Sequence, residues 1–343
     1  MKALVYNGPG AFAYMDVPDP VPGPNDILIR VRACGICGSD VQGATGRTGR
    51  RIPPLIMGHE AAGIVEAVGP SVSGFAPGDR VAFDSTVYCN ACDPCRQGLF
   101  NRCVKRQVIG VSTPTAKRQG AFAEYVAIPF WIVVKLPDEL SFRQAALLEP
   151  ASIALHAANR GGVTAGETAV VLGAGTIGLF VIQAVRLRGA ARVIAVDKNE
   201  FRLGVAQRLG ADAIVNPDHE SLREVVRSET GGRGADIVFE AVGFAQTVRE
   251  AVSVVKMGGR VTMIGNLDRT VELDMQDLVA RELSMVGSYS SSGEFGECME
   301  AFASGRIDAT PLISDVMKLS DGARAFERLL AGNEDLLKIV LEP

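Results

Sequence analysis

Hydrophobic residues follow one pattern before residue 135 and another after residue 168. In the first part, short apolar runs are separated by glycine and proline. Runs of this kind, bounded by turn residues, are typical of β-strands. We therefore expect an all-β, barrel-like unit with long loops. Its predicted strands are Ala3–Tyr6, Ile27–Ala33, Ala61–Val68, Arg80–Phe83, Tyr125–Ile128 and Val133–Lys135.

Beyond residue 168, apolar strands alternate with amphipathic helices. This alternation predicts a doubly wound parallel sheet of about six strands. After residue 288 the pattern loosens into two helices, Phe295–Ala303 and Ala323–Leu330, and a final strand, Lys338–Leu341. The predicted strands of the parallel sheet are Ala169–Leu172, Val193–Val196, Ala213–Val215, Ile237–Glu240, Val261–Ile264 and Leu283–Val286, with helices at Ile177–Leu187, Phe201–Leu209 and Leu222–Ser228.

Composition narrows the class of protein. A chain of 343 residues with 47% hydrophobic and 22% charged residues is long enough for two globular domains. A net charge of −4 argues against nucleic acid or an anionic membrane as the main partner. The first residues lack the apolar core of a signal peptide, and no apolar run approaches the roughly 20 residues that span a bilayer. With seven cysteines, we expect a protein of the reducing cytoplasm.

Four of those cysteines, Cys89, Cys92, Cys95 and Cys103, follow the spacing C-x2-C-x2-C-x7-C. Four thiolates can surround one zinc ion tetrahedrally, and such a closed site leaves no position for substrate. The spacing therefore predicts a structural zinc site. A disulfide framework is the alternative, but it is typical of small secreted domains.

A glycine motif follows the first strand of the parallel sheet. Gly173-Ala174-Gly175-Thr176-Ile177-Gly178 is a G-x-G-x-x-G sequence between a strand and a helix, where a pyrophosphate can bind the helix N-terminus. The next strand is followed by Asp197, at the distance expected for an acid that binds the adenosine 2′-hydroxyl and repels a 2′-phosphate. We therefore expect NAD rather than NADP, although Arg202 could stack on adenine. The predicted cofactor-binding residues are Gly173, Gly175, Thr176, Ile177, Gly178, Asp197, Lys198, Arg202, Val242, Ile264, Gly265 and Ser288.

The all-β part carries a second set of metal-binding residue types. Cys37, His59 and a carboxylate, Glu60 or Glu149, form a mixed sulfur, nitrogen and oxygen set that suits a catalytic zinc with one open position. Read separately, Cys34 and Cys37 could instead be a CxxC redox pair. A single histidine such as His59 is more often structural.

Taken together, these motifs resemble the zinc-dependent medium-chain dehydrogenases of the alcohol dehydrogenase superfamily over essentially the whole chain. The resemblance implies a GroES-like β-barrel catalytic domain, residues 1–150 completed by residues 289–343, and a Rossmann NAD-binding domain, residues 151–288. It also implies pairing of coenzyme domains through Leu283–Val286 into a homodimer or homotetramer. The matching segments are Gly35–Asp40, Gly58–Val65, Gly78–Val81, the four-cysteine loop and the glycine motif.

Glu149 indicates which branch of the superfamily the chain resembles. Enzymes for short alcohols usually have cysteine at the matching position, whereas glutamate is similar to the sorbitol, threonine and galactitol-phosphate dehydrogenases. The resemblance then implies two zinc ions per subunit, with Cys37, His59 and one or both of Glu60 and Glu149 around the catalytic one. Asp40 would hold the second ring nitrogen of His59.

The implied reaction is oxidation of a secondary alcohol of a polyol or sugar alcohol, with hydride transfer to NAD. Ser39 would hydrogen-bond the alcohol and start the exit of its proton. Many relatives end this route with histidine, whereas this chain has Gln42, which cannot accept a proton. We therefore expect the proton to leave through water to Glu149 or Glu60. Sorbitol dehydrogenases often carry arginine where this chain has Ser288, which argues against sorbitol itself.

Arg47, Arg50 and Arg51 precede His59 and either clamp an anionic group of the substrate or belong to a solvated loop.

The sequence also allows functions other than polyol oxidation to be considered. A threonine, amino-alcohol or simple secondary-alcohol dehydrogenase would use the same residues. An NAD-sensing regulatory protein would not need Ser39, His59 and Glu149. A zinc-free reductase of the superfamily would lack the zinc ligands, and a zinc-ribbon nucleic-acid binder would need a basic domain.

Overall fold

The computed structural model describes residues 1–343 and divides them into two compact units. The first unit contains Met1–Glu149, Ser291–Ser304 and Ala309–Pro343, and the second contains Pro150–Ser290 and Gly305–Asp308. These bounds differ from the expected domain limits at residue 150, at residues 289–290 and at residues 305–308.

The first part of the chain folds into twelve strands and three short helices. The strands are β1 (Lys2–Gly8), β2 (Ala11–Asp16), β3 (Asp26–Gly35), β4 (Leu55–Ile56), β5 (Glu60–Val68), β6 (Arg80–Phe83), β7 (Thr86–Val87), β8 (Gln107–Val108), β9 (Ser112–Thr113), β10 (Ala116–Lys117), β11 (Tyr125–Pro129) and β12 (Val133–Lys135). The helices are α1 (Gly38–Ala44), α2 (Asp93–Arg96) and α3 (Phe142–Ala146).

The middle of the chain alternates helices and parallel strands. The helices are α4 (Leu148–Gly161), α5 (Thr176–Leu187), α6 (Glu200–Arg208), α7 (Leu222–Glu229), α8 (Ala245–Val254) and α9 (Met275–Ala280). The strands are β13 (Thr168–Leu172), β14 (Arg192–Val196), β15 (Ala213–Val215), β16 (Ala235–Glu240), β17 (Val255–Met263) and β18 (Ser284–Gly287). The last part contains α10 (Phe295–Ala303), β19 (Ile313–Lys318), α11 (Gly322–Ala331) and β20 (Lys338–Glu342).

The main sheet of the first unit has seven strands in the order β12-β6-β5-β3-β20-β19, with β11 also paired to β3. The C-terminal strand β20 lies antiparallel to β3, so the end of the chain completes the sheet that its beginning starts. A fully buried apolar core lies under these strands and includes Ile27, Ile29, Phe83 and Phe122. The predicted strands of this part are all present. The strands without a predicted counterpart are β2, β4, β7, β8, β9, β10 and β19.

The second unit is built on a six-stranded parallel sheet in the order β15-β14-β13-β16-β17-β18. Its central strands are buried on both faces, as Val170, Val171 and Val238 show, which is typical of a sheet covered by helices. The predicted doubly wound sheet is confirmed. Helices α4, α8 and α9 were not predicted; α8 has Phe244 as its N-cap and lacks a side-chain capping signal. None of the helices is both long and apolar enough to cross a membrane.

Candidate metal and cofactor sites

Strand pairing brings Cys37, His59 and Glu60 together. Strand β3 ends at Gly35, which lies opposite Glu60 at the start of the antiparallel strand β5. Cys37 then caps helix α1, and its sulfur accepts a hydrogen bond from the N–H of Ser39 at 3.4 Å. The thiol sulfur, a ring nitrogen of His59 and a carboxylate oxygen of Glu60 all lie within 4.8 Å of one another.

The chemistry of this cluster suits a divalent cation. Burial and, to a smaller extent, the charge of Glu60 raise the pKa of Cys37 to about 12. Thiolate, imidazole and carboxylate are the donors that zinc uses in catalytic sites, and a bound cation would offset both causes of the raised thiol pKa. The three residues therefore fit a zinc ion.

Glu60 also has a cationic partner. The Nζ atom of Lys338, at the start of β20, lies 2.8 Å from Oε1 and 2.6 Å from Oε2 of Glu60 and donates to the carbonyl oxygen of Ile36 at 3.0 Å. Both side chains are buried. Burial lowers the pKa of Lys338, but the charges of Glu60 and Cys37 outweigh it, so the net shift of the pKa is upward.

Glu149 lies in the first turn of α4, and its carboxylate is outside the three-residue cluster. Its Oε1 atom accepts a hydrogen bond of 2.6 Å from the hydroxyl of Ser85. Burial raises the pKa of Glu149 to about 8; the charge of His59 opposes this rise, and those of Glu60 and Cys37 add to it. A buried carboxylic acid near neutral pKa can accept or release a proton at physiological pH.

A chain of polar contacts leads from His59 to Arg51. The Oδ2 atom of Asp40 lies 3.5 Å from Nδ1 of His59, which leaves Nε2 for a metal. The other oxygen of Asp40 accepts a hydrogen bond of 2.8 Å from Nη2 of Arg51, and that nitrogen lies 3.5 Å from the hydroxyl of Ser39. Gly43 makes room for Arg51, because a Cβ atom there would be 2.6 Å from the Arg51 Cγ atom.

The three arginines of the preceding loop are therefore not equivalent. Arg47 and Arg50 are exposed, whereas the Arg51 side chain is only 4% exposed and is paired with Asp40. The interpretation of Arg51 as a solvated or anion-clamping residue is wrong, because its guanidinium is already occupied inside the protein.

Local structure brings the sulfur atoms of Cys89, Cys92, Cys95 and Cys103 within 4.8 Å of one another. Cys92 caps α2, and its sulfur lies 3.4 Å from that of Cys95. The turns between them need left-handed backbone at Asn90, with φ of 55°, and at Gly98, with φ of 73°. Hydrogen bonds from the backbone of Ala91 and Cys92 lower the pKa of Cys89 to about 6. This set fits a closed, four-thiolate zinc site.

In the second unit, the glycine motif forms the turn between β13 and α5. A Cβ atom at Gly178 would lie 1.7 Å from the carbonyl oxygen of Gly173, whose φ is 95°, so both positions require glycine. Around Gly175, the N-cap of α5, a Cβ atom would meet no atom within 4 Å. The helix N-terminus, which begins at Thr176 and Ile177, is thus open to an anion, as a pyrophosphate site requires.

Asp197 follows β14 and closes over the same turn. Its Oδ2 atom accepts a hydrogen bond of 2.8 Å from the N–H of Ala174, and its Oδ1 atom accepts one of 2.9 Å from Asn199. Each carboxylate oxygen has further lone pairs, which could accept from a ribose hydroxyl. Arg202 reaches Asp197 only at 4.0 Å, and Lys198 pairs with Asp218 at 2.9 Å.

Val242, Ile264, Gly265 and Ser288 follow the carboxyl ends of β16, β17 and β18. The hydroxyl of Ser288 is buried without a hydrogen-bond partner, and its N–H donates to the carbonyl oxygen of Met263 at 2.9 Å. The structure thus places the predicted cofactor residues along one edge of the parallel sheet, the edge at which such folds bind ligands.

Three buried residues, Ser85, Glu240 and Lys338, were not identified from the sequence, and the inward orientation of Arg51 was not predicted. Lys338 carries a weak signal, since it is a charged residue in the apolar strand β20. Glu240 carries a similar signal at the end of β16. Ser85 has no recognisable one.

Comparison with known proteins gives consistent matches. Residues 23–138 match the alcohol dehydrogenase GroES-like domain, and residues 176–304 match the zinc-binding dehydrogenase family. The chain is similar to sorbitol dehydrogenase of Bacillus subtilis (strain 168), at 33% identity over 100% of this chain and 97% of that protein. It is similar to L-idonate 5-dehydrogenase of Vitis vinifera, at 37% identity over 90% and 86% of the two chains. The solved structure of a zinc-binding dehydrogenase from Sinorhizobium meliloti 1021, bound to NADP, matches with a TM-score of 0.92 and 32% identity over 100% and 99% of the chains.

Proposed function

The chain belongs to the zinc-dependent medium-chain dehydrogenases of the alcohol dehydrogenase superfamily, an oxidoreductase family that acts on CH–OH groups, and on that premise we propose that it oxidises a secondary alcohol of a polyol or sugar alcohol to a ketone. The cluster of Cys37, His59 and Glu60 carries this proposal, because it unites the three donor types of a catalytic zinc site within 4.8 Å. Relatives named for sorbitol and idonate support a polyhydroxylated substrate.

The groups that this chain would hold are a zinc ion and a nicotinamide cofactor. When bound, the zinc polarises the alcohol oxygen and the nicotinamide accepts the hydride. Cys37 and His59 would hold the metal, with Glu60 or Glu149 supplying the oxygen donor. The glycine motif and Asp197 would hold the dinucleotide.

Ser39 would orient the alcohol, since its hydroxyl lies 3.3 Å from the Cys37 sulfur. The proton then needs an acceptor, and Gln42 is not one. Both oxygens of Glu60 already accept hydrogen bonds from Lys338. We therefore assign proton acceptance to the ionised form of Glu149, which a bound cation would favour over the protonated form that burial favours in the metal-free site.

The cofactor is proposed to be NAD. The carboxylate of Asp197 would accept a hydrogen bond from an adenosine 2′-hydroxyl and would repel a 2′-phosphate. A similar protein of known structure binds NADP, so comparison of kcat/KM with NAD and with NADP tests this proposal.

We propose a homodimer or homotetramer in the cytoplasm. Strand β18 ends the parallel sheet and pairs only with β17, so its outer edge has unpaired backbone groups. Apolar side chains are exposed nearby in sequence, with Met257 72%, Met275 65% and Val279 71% exposed. Exposed large apolar side chains that cluster on a surface are typical of subunit interfaces, and the proposal is that these three residues cluster in this way. Light scattering that gives the monomer mass at micromolar concentration would contradict this assembly.

The experiment for the reaction is a screen of neutral polyols, sugar acids, sugar phosphates, amino alcohols and simple secondary alcohols with NAD, followed as NADH formation. Cys37→Ala should abolish the activity. Cys34→Ala, at the other cysteine of the same CxxC sequence, should retain the activity. Of these two cysteines the metal site uses only Cys37, whereas a redox pair would use both. Equal loss in the two variants, or no reduction of NAD with any class, would refute the proposed function.

A further inference from the structure

Glu240 places a carboxylate in the interior of the second unit. The residue ends β16 and has no exposed surface. Its Oε1 atom accepts hydrogen bonds from the N–H groups of Val242 at 3.0 Å and Gly243 at 2.8 Å, and the hydroxyl of Thr247 lies 2.7 Å from the same oxygen. Its Oε2 atom is buried without a hydrogen-bond partner. Since burying an ionisable group is costly, core packing alone does not account for a carboxylate here.

The main chain of Glu240 holds a second turn. Its carbonyl oxygen accepts hydrogen bonds from the N–H groups of Ile264 at 2.8 Å and Gly265 at 3.0 Å, which follow β17. The two turns touch backbone to backbone, because a Cβ atom on Gly265 would lie 2.2 Å from the nitrogen of Gly243. Glu240 therefore fixes both turns, one through its side chain and one through its carbonyl group.

These turns lie near the point at which the strand order of the sheet reverses. In the order β15-β14-β13-β16-β17-β18, the chain winds one way from β13 and the other way from β16. Dinucleotides bind across this point, with one mononucleotide on each half of the sheet. The glycine motif and Asp197 take the adenosine half, so the turns after β16 and β17 face the other half. Val242 also reaches the glycine motif, since a Cβ atom on Gly173 would lie 2.7 Å from its Cγ2 atom.

We propose that Glu240 is a positioning residue for the nicotinamide half of the cofactor, acting through the turns at Val242–Gly243 and Ile264–Gly265. The inference rests on the proposed nicotinamide cofactor, and it adds a residue that touches neither cofactor nor substrate. Its carboxylate sets the backbone against which the nicotinamide ring binds, whereas Asp197 and the glycine motif hold the adenosine half.

Binding of two ligands to the purified, zinc-loaded protein tests this difference. NADH contains both halves of the cofactor, whereas ADP-ribose lacks the nicotinamide ring. In Glu240→Gln the two N–H groups and the hydroxyl keep an acceptor but lose its charge, so we expect the Kd of NADH to rise about tenfold, as loss of a charge-assisted interaction implies. The Kd of ADP-ribose should stay within about twofold.

The matched control is Glu224→Gln, which removes an exposed carboxylate from α7 in the same unit and should change neither Kd. Thr247→Val removes one contact of Glu240 and should weaken NADH binding selectively, and Thr247→Ser, which keeps the hydroxyl, should restore it. Thermal unfolding shows whether Glu240→Gln folds. If it does not fold, the two Thr247 variants test the inference in its place.

The results separate the inference from the function on which it rests. A wild-type protein that binds neither ligand refutes the proposed cofactor. A wild-type protein that binds both, with Glu240→Gln weakening NADH and ADP-ribose equally or not at all, refutes the role of Glu240 and leaves the cofactor in place.

Discussion

The ammonium group of Lys338 contacts both oxygens of the Glu60 carboxylate, at 2.8 and 2.6 Å, and neither side chain reaches solvent. The same carboxylate lies within 4.8 Å of the candidate metal ligands Cys37 and His59. The carboxylate of Glu60 would therefore interact with two cations, the ammonium of Lys338 and a bound zinc ion. The space around the pair is tight, because a Cβ atom on Gly35 would lie 2.4 Å from Oε2 of Glu60.

Lys338→Met should destabilise the metal-free protein strongly. The change leaves Glu60 buried without its cation, and breaking a buried pair costs about 3–5 kcal/mol of the free energy of unfolding. Adding Glu60→Gln to Lys338→Met should recover most of this loss, since no buried charge then remains unpaired. Urea unfolding of the single and double variants measures both effects.

The control for this pair is Lys256→Met, which breaks the partly exposed ion pair of Lys256 and Asp236. We expect a loss below about 1 kcal/mol there. If Lys338→Met lowers the free energy of unfolding no more than Lys256→Met does, the buried pair does not stabilise the fold.

The buried pair also marks where sequence reasoning stops. The four-cysteine loop and the glycine motif could be predicted because their residues lie close together in the chain and their spacing fixes their geometry. Lys338 and Glu60 are separated by 278 positions. Their contact depends on the pairing of β20 with β3 and of β3 with β5, which local pattern does not encode.

Arg51 shows the same limit at short range. In the sequence it is one of three similar arginines, and charge alone places it on a solvated loop. The structure turns it inward because Asp40 needs a cation and Gly43 leaves room for the side chain. Identical residue types a few positions apart therefore differ in function through packing that only the folded chain shows.

Stability of the metal-free protein should fall as the pH rises toward 8. Burial raises the pKa of Glu149 from an unfolded value of 4.5 to about 8, so the folded state holds a proton that the unfolded state has already released. The contribution of Glu149 is fully present below about pH 4.5 and is lost as the pH rises through about 8. Urea unfolding at about five pH values between pH 5 and pH 9 measures this effect. The free energy of unfolding should decline less steeply with pH in Glu149→Gln than in the wild type. An identical pH dependence in the two proteins would contradict the raised pKa.

The two zinc sites should differ in lability. Four thiolates would close the site at Cys89, Cys92, Cys95 and Cys103, whereas the three donors of the Cys37 cluster would leave one position of a zinc ion exchangeable. We expect about two zinc ions per chain by metal analysis, and mild chelation should remove one of them with the activity while the circular dichroism spectrum is unchanged. Loss of both metals together with unfolding would show that the sites are not separate in function.

The cofactor preference should follow Asp197. We expect kcat/KM with NAD to exceed that with NADP about tenfold or more, equivalent to about 1.4 kcal/mol, because the carboxylate repels a 2′-phosphate. Asp197→Ser should reduce this ratio, and Arg202→Ala should lower any residual use of NADP. If the wild type prefers NADP, Arg202 or Lys198 dominates at this position and the assignment of Asp197 is wrong.

The three arginines of the loop before His59 should separate into two groups. Arg51→Ala leaves Asp40 buried without its cation beside the candidate ligand His59, so we expect the free energy of unfolding to fall by about 3 kcal/mol and the zinc affinity to weaken. Arg47→Ala and Arg50→Ala remove exposed groups and should change stability by less than about 0.5 kcal/mol. These two serve as the matched controls in urea unfolding and metal titration. If one of them lowers kcat/KM for an acidic or phosphorylated polyol but not for its neutral parent, and the difference shrinks with salt, that arginine binds the anionic group. If Arg51→Ala is as stable as the two controls, the buried pair with Asp40 does not hold this loop in place.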